Sequence, residues 1–141
     1  MDVASTLTIL LSIFAIVLSG FALLESRKSN RAALFDQRFA VYRDVEKFLG
    51  FWARDGRPNL GELRLVIDAW NRSHFLFDGF VTAYLRQLWL DAVQAESDAR
   101  TVNGEQPGDR NVAIEREQQL FLKYCGEDNS LRTAFMRDLK I

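Results

Sequence analysis

An uncharged apolar run near the start of the chain limits what this sequence can fold into more than any other feature. Residues 3–24 include no charged side chain, and 13 of these 22 residues are Leu, Ile, Val or Phe. As an α-helix at about 1.5 Å per residue, the run reaches roughly 33 Å and covers a hydrocarbon core of about 30 Å. The sequence therefore predicts one membrane-spanning helix, with residues 1–26 as the anchor and residues 27–141 as a separate domain.

A cleaved signal peptide is the competing interpretation of this run. Signal peptides have a basic first segment, an apolar segment of about 7 to 15 residues and a small-residue cleavage site. In this sequence the apolar run is longer, no basic residue precedes it, and no such site follows it at the right place. We therefore expect the run to be retained as a transmembrane helix.

Basic residues beside the run predict its orientation. Arg27, Lys28 and Arg31 follow it within one or two helical turns, whereas only Asp2 and the chain amine precede it. Segments rich in Lys and Arg stay in the cytoplasm, so we expect the N-terminus outside and the C-terminal domain in the cytoplasm. Each basic residue beside an anionic leaflet also contributes about 1 kcal/mol to membrane binding. The three residues are thus candidate contacts to anionic lipid, with a role in topology alone as the alternative.

The small residues of the run form a regular stripe. They recur in alternating steps of three and four residues, as Ser5, Thr8, Ser12, Ala15, Ser19 and Ala22. In lipid, helices associate where small residues let two backbones approach, because no hydrophobic force acts between them. A repeat of this length predicts a left-handed crossing with a second copy or with another membrane protein. The alternative is that ordinary membrane-helix residues fall in this phase by chance.

The rest of the chain has helical periodicity. Apolar residues recur at steps of three and four from Asn30 to about Ala53 and from Leu60 to about Phe77. Three further helical segments follow, separated by Asp78-Gly79, by a polar loop at 101–111 and by Gly126. No strand pattern competes. The fold class predicted is all-α, with one N-terminal transmembrane helix continuing into a small cytoplasmic bundle of four to five helices.

Several details of these helices are predicted as well. The N-caps expected for the second and third helices are Asn59 and Asp78, and for the last helix either Asp128 or Asn129. The residues expected on the buried side of the second helix are Leu63, Val66, Ile67, Trp70 and Phe75.

The charge balance excludes some partners. The formal net charge is −1, which argues against nucleic-acid binding through bulk basicity. Between Arg27 and Arg57 there are eight Lys or Arg and four acids, and from Pro58 onward there are ten against thirteen. The basic part is therefore the part next to the predicted membrane helix.

No set of residues in this sequence predicts catalysis or a cofactor. His74 is the only histidine and Cys125 the only cysteine, whereas zinc sites need three or four ligands and cysteine nucleophiles need a base. We expect His74, which lies in an aromatic run, to be a core or interface residue. Motifs for phosphate, dinucleotide or metalloprotease sites do not occur. We therefore expect no enzyme activity, no cofactor, no metal and no small-molecule substrate.

The segment Leu34-Phe-Asp-Gln-Arg-Phe-Ala-Val-Tyr42 resembles a family of small, uncharacterised bacterial single-pass membrane proteins with an L-F-D-x-R-F-x-V-Y segment after the span. An F-L-F-G-type turn is matched at Phe75–Gly79 and a tyrosine-bearing helix at Tyr84. The family's Pro-Tyr-Leu tail is not matched, since Phe135–Leu139 stands in its place. The resemblance implies this architecture and a bacterial inner membrane, and it implies no site residue.

Two functions remain open at this point. The first is a membrane-anchored, non-enzymatic interaction module that oligomerises through its transmembrane helix. The alternative is a membrane-acting effector, of a toxin or anti-phage type, that permeabilises the membrane through a pore lined by the hydroxyls of the small-residue stripe. A membrane-tethered enzyme would instead need a pocket that joins His74 to carboxylates.

Overall fold

Helices make up almost the whole backbone in this computed structural model, which describes residues 2–126 and 130–139. Within those residues the chain forms no strand and five helices, which are α1 (Val3–Asp55), α2 (Leu63–Leu76), α3 (Gly79–Val102), α4 (Arg110–Cys125) and α5 (Ser130–Leu139). The predicted all-α class and the helical bundle are therefore confirmed. The predicted cap at Asp128 or Asn129 lies outside the described residues.

The chain divides into two units, Met1–Asp36 and Gln37–Ile141. The first unit contains the N-terminal part of α1, and the second contains the remainder of α1 with α2 to α5. The structure describes α1 as one helix of 53 residues. No Pro or Gly lies between Leu24 and Asn30 to end it. The boundary predicted after residue 26 separates membrane from cytoplasm and stays a prediction.

The core of the second unit surrounds the end of α1. Val41, Val45, Phe48 and Trp52 have no exposed surface and follow one another at helical steps of three and four. The ring of Trp52 lies 6.0 Å from that of Phe48 and 5.8 Å from that of Tyr124 on α4. The core residues contributed by the other helices include Leu63, Val66, Val81, Leu85, Leu88, Leu131 and Phe135.

The start of α2 differs from the prediction. Its N-cap is Glu62 instead of Asn59, and the Glu62 side chain makes no capping hydrogen bond. The Asn59 carboxamide oxygen accepts from the backbone N–H of Gly61 at 2.8 Å, so Asn59 stabilises the turn before the helix. Asp78 does occupy the N-cap position of α3, without a capping bond from its carboxylate.

The two ends of α4 show one capping residue that was predicted and one that was missed. Gly126 ends the helix as predicted, and a Cβ at this position would lie only 2.4 Å from the Leu122 carbonyl oxygen. Asp109, which was not predicted, accepts from the backbone N–H groups of Asn111 and Val112 at 2.9 and 3.3 Å. Asp109 thus accepts from two N–H groups that have no partner within the helix, and the lack of a Cβ at Gly126 leaves room for the Leu122 carbonyl oxygen.

Phe75 was predicted on the buried side of α2, and that prediction is wrong. Its surface is 89% exposed. The buried residues of α2 are Leu63, Val66, Ala69 and Ser73. Phe75 comes two residues after Ser73, which turns it about 200° away from the buried face. Sequence hydrophobicity placed the ring in the core, whereas the helical phase places it in solvent.

Candidate functional site

The apolar part of α1 is not buried against any other described part of the chain. Every described side chain from Val3 to Leu24 is exposed, including all 13 large apolar ones. Soluble proteins rarely leave an apolar surface of this extent in water. This helix is long and apolar enough to span a membrane.

The structure places the predicted seam residues on this helix, where their spacing keeps them near one face. An ideal helix rotates by 100° per residue, so a seven-residue repeat drifts by about 20° per heptad. From Ser5 to Ala22 the stripe extends roughly 25 Å along the helix axis. A partner helix parallel to α1 would move out of contact with this stripe along its length. A partner that crosses α1 in a left-handed sense would stay in contact with it.

Three of the four hydroxyl groups of the stripe, those of Thr8, Ser12 and Ser19, bond within their own helix. Thr8 donates to the Ala4 carbonyl oxygen at 2.9 Å and Ser12 to the Thr8 carbonyl oxygen at 2.8 Å. Ser19 donates to the Ala15 carbonyl oxygen at 2.8 Å. Each of these protons therefore has an acceptor without any partner helix. In a hydrocarbon environment this arrangement avoids the cost of an unpaired donor.

The basic residues after the apolar run are accessible. Arg27, Lys28 and Arg31 are exposed in the first unit. Among the described residues, no salt bridge includes any of the three. These side chains are therefore accessible, and their contact with anionic lipid headgroups stays a prediction.

His74 was expected to be a core or interface residue, and it is exposed, so the core placement is wrong and the interface role stays a prediction. Its ring lies 5.7 Å from that of Trp70, which in turn stacks on Trp89 at 5.9 Å. The rings of Trp70 and His74 line a surface groove together with Phe77 and Arg86. In the described part of the chain, no group of three His, Cys, Asp or Glu side chains has metal-binding geometry.

Cys125 lies where burial disfavours its thiolate form. The side chain is half-buried, and its Sγ donates to the Leu49 carbonyl oxygen at 3.8 Å. Burial raises the pKa of the thiol to about 11. Because the thiolate is the nucleophile, a protonated thiol near neutral pH is poorly suited to covalent catalysis.

A polar cluster between α3 and α4 was not found from the sequence. Asp91 accepts from Lys123 Nζ at 2.7 Å, from the Tyr124 hydroxyl at 2.6 Å and from Gln87 Nε2 at 2.8 Å. Burial acts to raise the pKa of Asp91, but these three hydrogen bonds together keep that pKa below its ordinary value. Burial and the Asp91 carboxylate raise the pKa of Tyr124. The Gln87–Asp91 spacing of four residues was the one local signal.

A second carboxylate on α3, that of Asp98, is buried. Its Oδ1 atom accepts from Gln94 at 3.0 Å and from Arg116 at 3.3 Å. Its Oδ2 atom is buried and has no hydrogen-bond partner among the described residues. Burial and the charge of Asp98 raise the pKa of Glu117. These contacts join α3 to α4, as those of Asp91 do, and they line no described cavity.

Comparison with known proteins adds no relative. No protein-family model matches the sequence, and neither curated proteins nor solved structures gave a match. The resemblance to small bacterial single-pass membrane proteins therefore stays a prediction.

Proposed function

We propose that this protein is a membrane-anchored, non-enzymatic interaction module. In this proposal the apolar part of α1 crosses the bilayer and joins copies of the chain, or the chain and another membrane protein. The helical bundle then presents its surface to a partner. The observation that carries the proposal is the uncovered apolar helix, since no described side chain from Val3 to Leu24 is buried.

The seam supports association through close packing. The hydroxyl protons of Thr8, Ser12 and Ser19 already bond to carbonyl oxygens of the same helix. At these positions a partner helix would therefore gain close packing against small side chains and no new hydrogen-bond donor. Small residues of this kind allow two backbones to approach, and the gain comes from van der Waals contact.

The proposed location, a bacterial inner membrane with the C-terminal domain in the cytoplasm, rests on the flanking charges and on the family resemblance. Arg27, Lys28 and Arg31 favour a cytoplasmic position for the segment that follows the span. The resemblance of residues 34–42 suggests a bacterial inner membrane. Extraction at alkaline pH and protease digestion from each side of the membrane test both points. Release of the chain by alkali, or a mature N-terminus beyond residue 24, would show that the helix is not an anchor.

A variant series tests the seam. Ser12→Leu and Ser19→Leu each place a large side chain on it, and we expect the association constant in liposomes to fall roughly tenfold or more, which is about 1.4 kcal/mol. Gly20→Leu is the matched control, because it adds the same side chain beside Ser19, away from the stripe, where a new Cβ meets no atom within 4 Å. Energy transfer between labelled copies at several lipid-to-protein ratios measures the association. Equal loss in Gly20→Leu, or monomers in the unaltered protein, would exclude the seam.

The membrane-permeabilising alternative uses the same stripe. The hydroxyl groups of Thr8, Ser12 and Ser19 donate within the helix, but their oxygen atoms can still accept hydrogen bonds from water in a pore. Induction of the protein in cells distinguishes the two functions. The interaction module leaves growth and membrane potential unchanged, while an effector of this type arrests growth and depolarises the membrane.

The absence of enzyme activity is also part of the proposal. It is supported by the raised pKa of the Cys125 thiol and by the surroundings of His74, whose described ring contact is with Trp70. Neither residue has a carboxylate or base among its described contacts that would activate it.

A further inference from the structure

The turn between α2 and α3 exposes two large aromatic side chains. We call residues His74 to Phe80 the aromatic turn. Phe75 is 89% exposed at the end of α2, and Phe80 is 65% exposed at the start of α3. No described ring contact includes either residue. A soluble domain gains nothing from such exposure, since each ring leaves a large apolar area in water.

The aromatic turn is firmly attached to the bundle. Phe77, between the two exposed rings, packs edge-on against Phe135 at 5.1 Å. Arg38 Nε donates to the Leu76 carbonyl oxygen at 2.7 Å, and the Arg38 guanidinium lies 5.6 Å from the centre of the Phe77 ring. The backbone that carries Phe75 and Phe80 is therefore held by contacts to α1 and α5.

The charges around the aromatic turn have a positive balance. Its single acid, Asp78, pairs with Arg137 at 3.2 Å. Arg38 and Arg86 lie close by, and among the described residues neither pairs with a carboxylate. Exposed apolar rings beside unneutralised cations match the interface of a bilayer that contains anionic lipids, where rings enter the acyl boundary and cations meet headgroups.

We propose that the aromatic turn inserts Phe75 and Phe80 into the interface of an anionic bilayer. This inference rests on the proposed function, because the anchor is what brings the bundle to the membrane. Gln37 follows Leu24 by 13 residues, so the second unit begins within about 45 Å of the anchor's end in any arrangement of the chain. Such a tether gives a high effective concentration, and two rings can then suffice for docking.

Depth-dependent fluorescence quenching in the full-length chain tests this inference. In a Cys125→Ser background, Gly79→Cys places one label between the two rings, where an added Cβ meets no atom within 4 Å. Leu122→Cys gives a matched exposed position on α4, and Phe14→Cys reports on the anchor. Each protein is reconstituted in vesicles of neutral lipid or of neutral lipid with anionic phosphatidylglycerol. Lipids that carry a quencher on the acyl chain then measure depth, and iodide measures exposure to water.

With anionic vesicles, we expect several-fold stronger lipid quenching at position 79 than at position 122. Phe75→Ser with Phe80→Ser should reduce the quenching at 79 to the level at 122, and neutral vesicles should weaken it. Equal quenching at 79 and 122, while position 14 is quenched, would overturn this inference and leave the anchor intact. No quenching at position 14 would overturn the proposed function itself. Protection from iodide at 79 without lipid quenching would assign the rings to a contact with a second copy, which also overturns membrane insertion.

Discussion

Replacement of Arg38 by Met tests how the bundle holds its helix ends together. Arg38 lies on α1 and donates from Nε to the Leu76 carbonyl oxygen at 2.7 Å and from an Nη atom to the Asp138 carbonyl oxygen at 3.2 Å. Both acceptors belong to the last turn of a helix, where the macrodipole favours a cation. Methionine keeps much of the aliphatic length of Arg38 and removes both hydrogen bonds and the charge.

The expected cost follows from these contacts. A hydrogen bond from a charged donor contributes about 1.5–3 kcal/mol, but Arg38 is only half-buried and water can reach the two carbonyl groups after the change. The lost contact with the Phe77 ring adds about 0.5–1 kcal/mol. We expect a total loss of about 2–3 kcal/mol in the free energy of unfolding. For a unit of roughly 100 residues, this corresponds to a fall of about 10 °C in Tm.

Tryptophan fluorescence is a suitable assay because of where the tryptophans lie. Trp52, Trp70 and Trp89 are the three tryptophans of the chain, and all lie within Gln37–Ile141. Their emission therefore reports the unfolding of the bundle, while the apolar part of α1 contributes nothing. Chemical or thermal unfolding of the full-length protein in mild detergent gives the free energy.

Two further variants make the Arg38 result interpretable. Arg43→Met removes an exposed arginine of the same helix that has no described partner, and it should cost less than about 0.5 kcal/mol. Arg38→Lys keeps the charge but carries all its donors on one nitrogen, in place of the separate Nε and Nη atoms that reach the two carbonyl groups, so its cost should be intermediate. A surface change usually alters the free energy of unfolding by up to about 0.5 kcal/mol. If the free energies of unfolding of Arg38→Met and Arg43→Met differ by less than this, the two carbonyl contacts contribute nothing to stability.

Two other predictions concern titratable groups of the bundle. The pKa of Asp91 in the folded state lies below its ordinary value of 3.8. The ionised Asp91 therefore stabilises the fold above pH 3.8, and this stabilisation is lost as the pH falls below 3.8 through the folded-state pKa. Asp91→Asn should cost about 1–2 kcal/mol at pH 7 and less below pH 3.8, and a constant difference across that range would contradict the lowered pKa. The pKa of Cys125 is about 11 instead of 9.0, so near pH 7.5 its thiolate fraction should be about 100-fold below that of an ordinary thiol. A disulfide reagent should therefore modify the native chain at least about 100-fold more slowly than the denatured chain, and similar rates would refute the burial of the thiol.

Local sequence signals predicted the fold class well. The uncharged run, the helical spacing of apolar residues and the glycine at 126 each depend on a few neighbouring residues. The structure accordingly shows a helix over the run, a bundle after it and a helix end at Cys125. The same signals do not decide whether the first helix crosses a membrane.

One error was local, because Phe75 was placed in the core for its aromatic ring, although the helical phase set by Leu63, Val66 and Ala69 turns it away from the core. Other features depend on distant parts of the chain. The bonds from Lys123 and Tyr124 to Asp91 join residues 32 and 33 positions apart, and no local pattern indicates them. Candidate residues of the seam could be named from spacing alone, but their internal hydrogen bonds required the structure.

The internal hydrogen bonds of Thr8, Ser12 and Ser19 have a consequence for selectivity between membrane helices. Under the proposed function, the seam makes few hydrogen bonds to a partner, because these hydroxyl protons are already bonded. It therefore selects partner helices by their shape, and alanine can replace serine on it. Any helix with a complementary narrow face can then compete for it. Co-expression of residues 1–36 alone should therefore form mixed assemblies with the full chain and inhibit its function in a dominant manner.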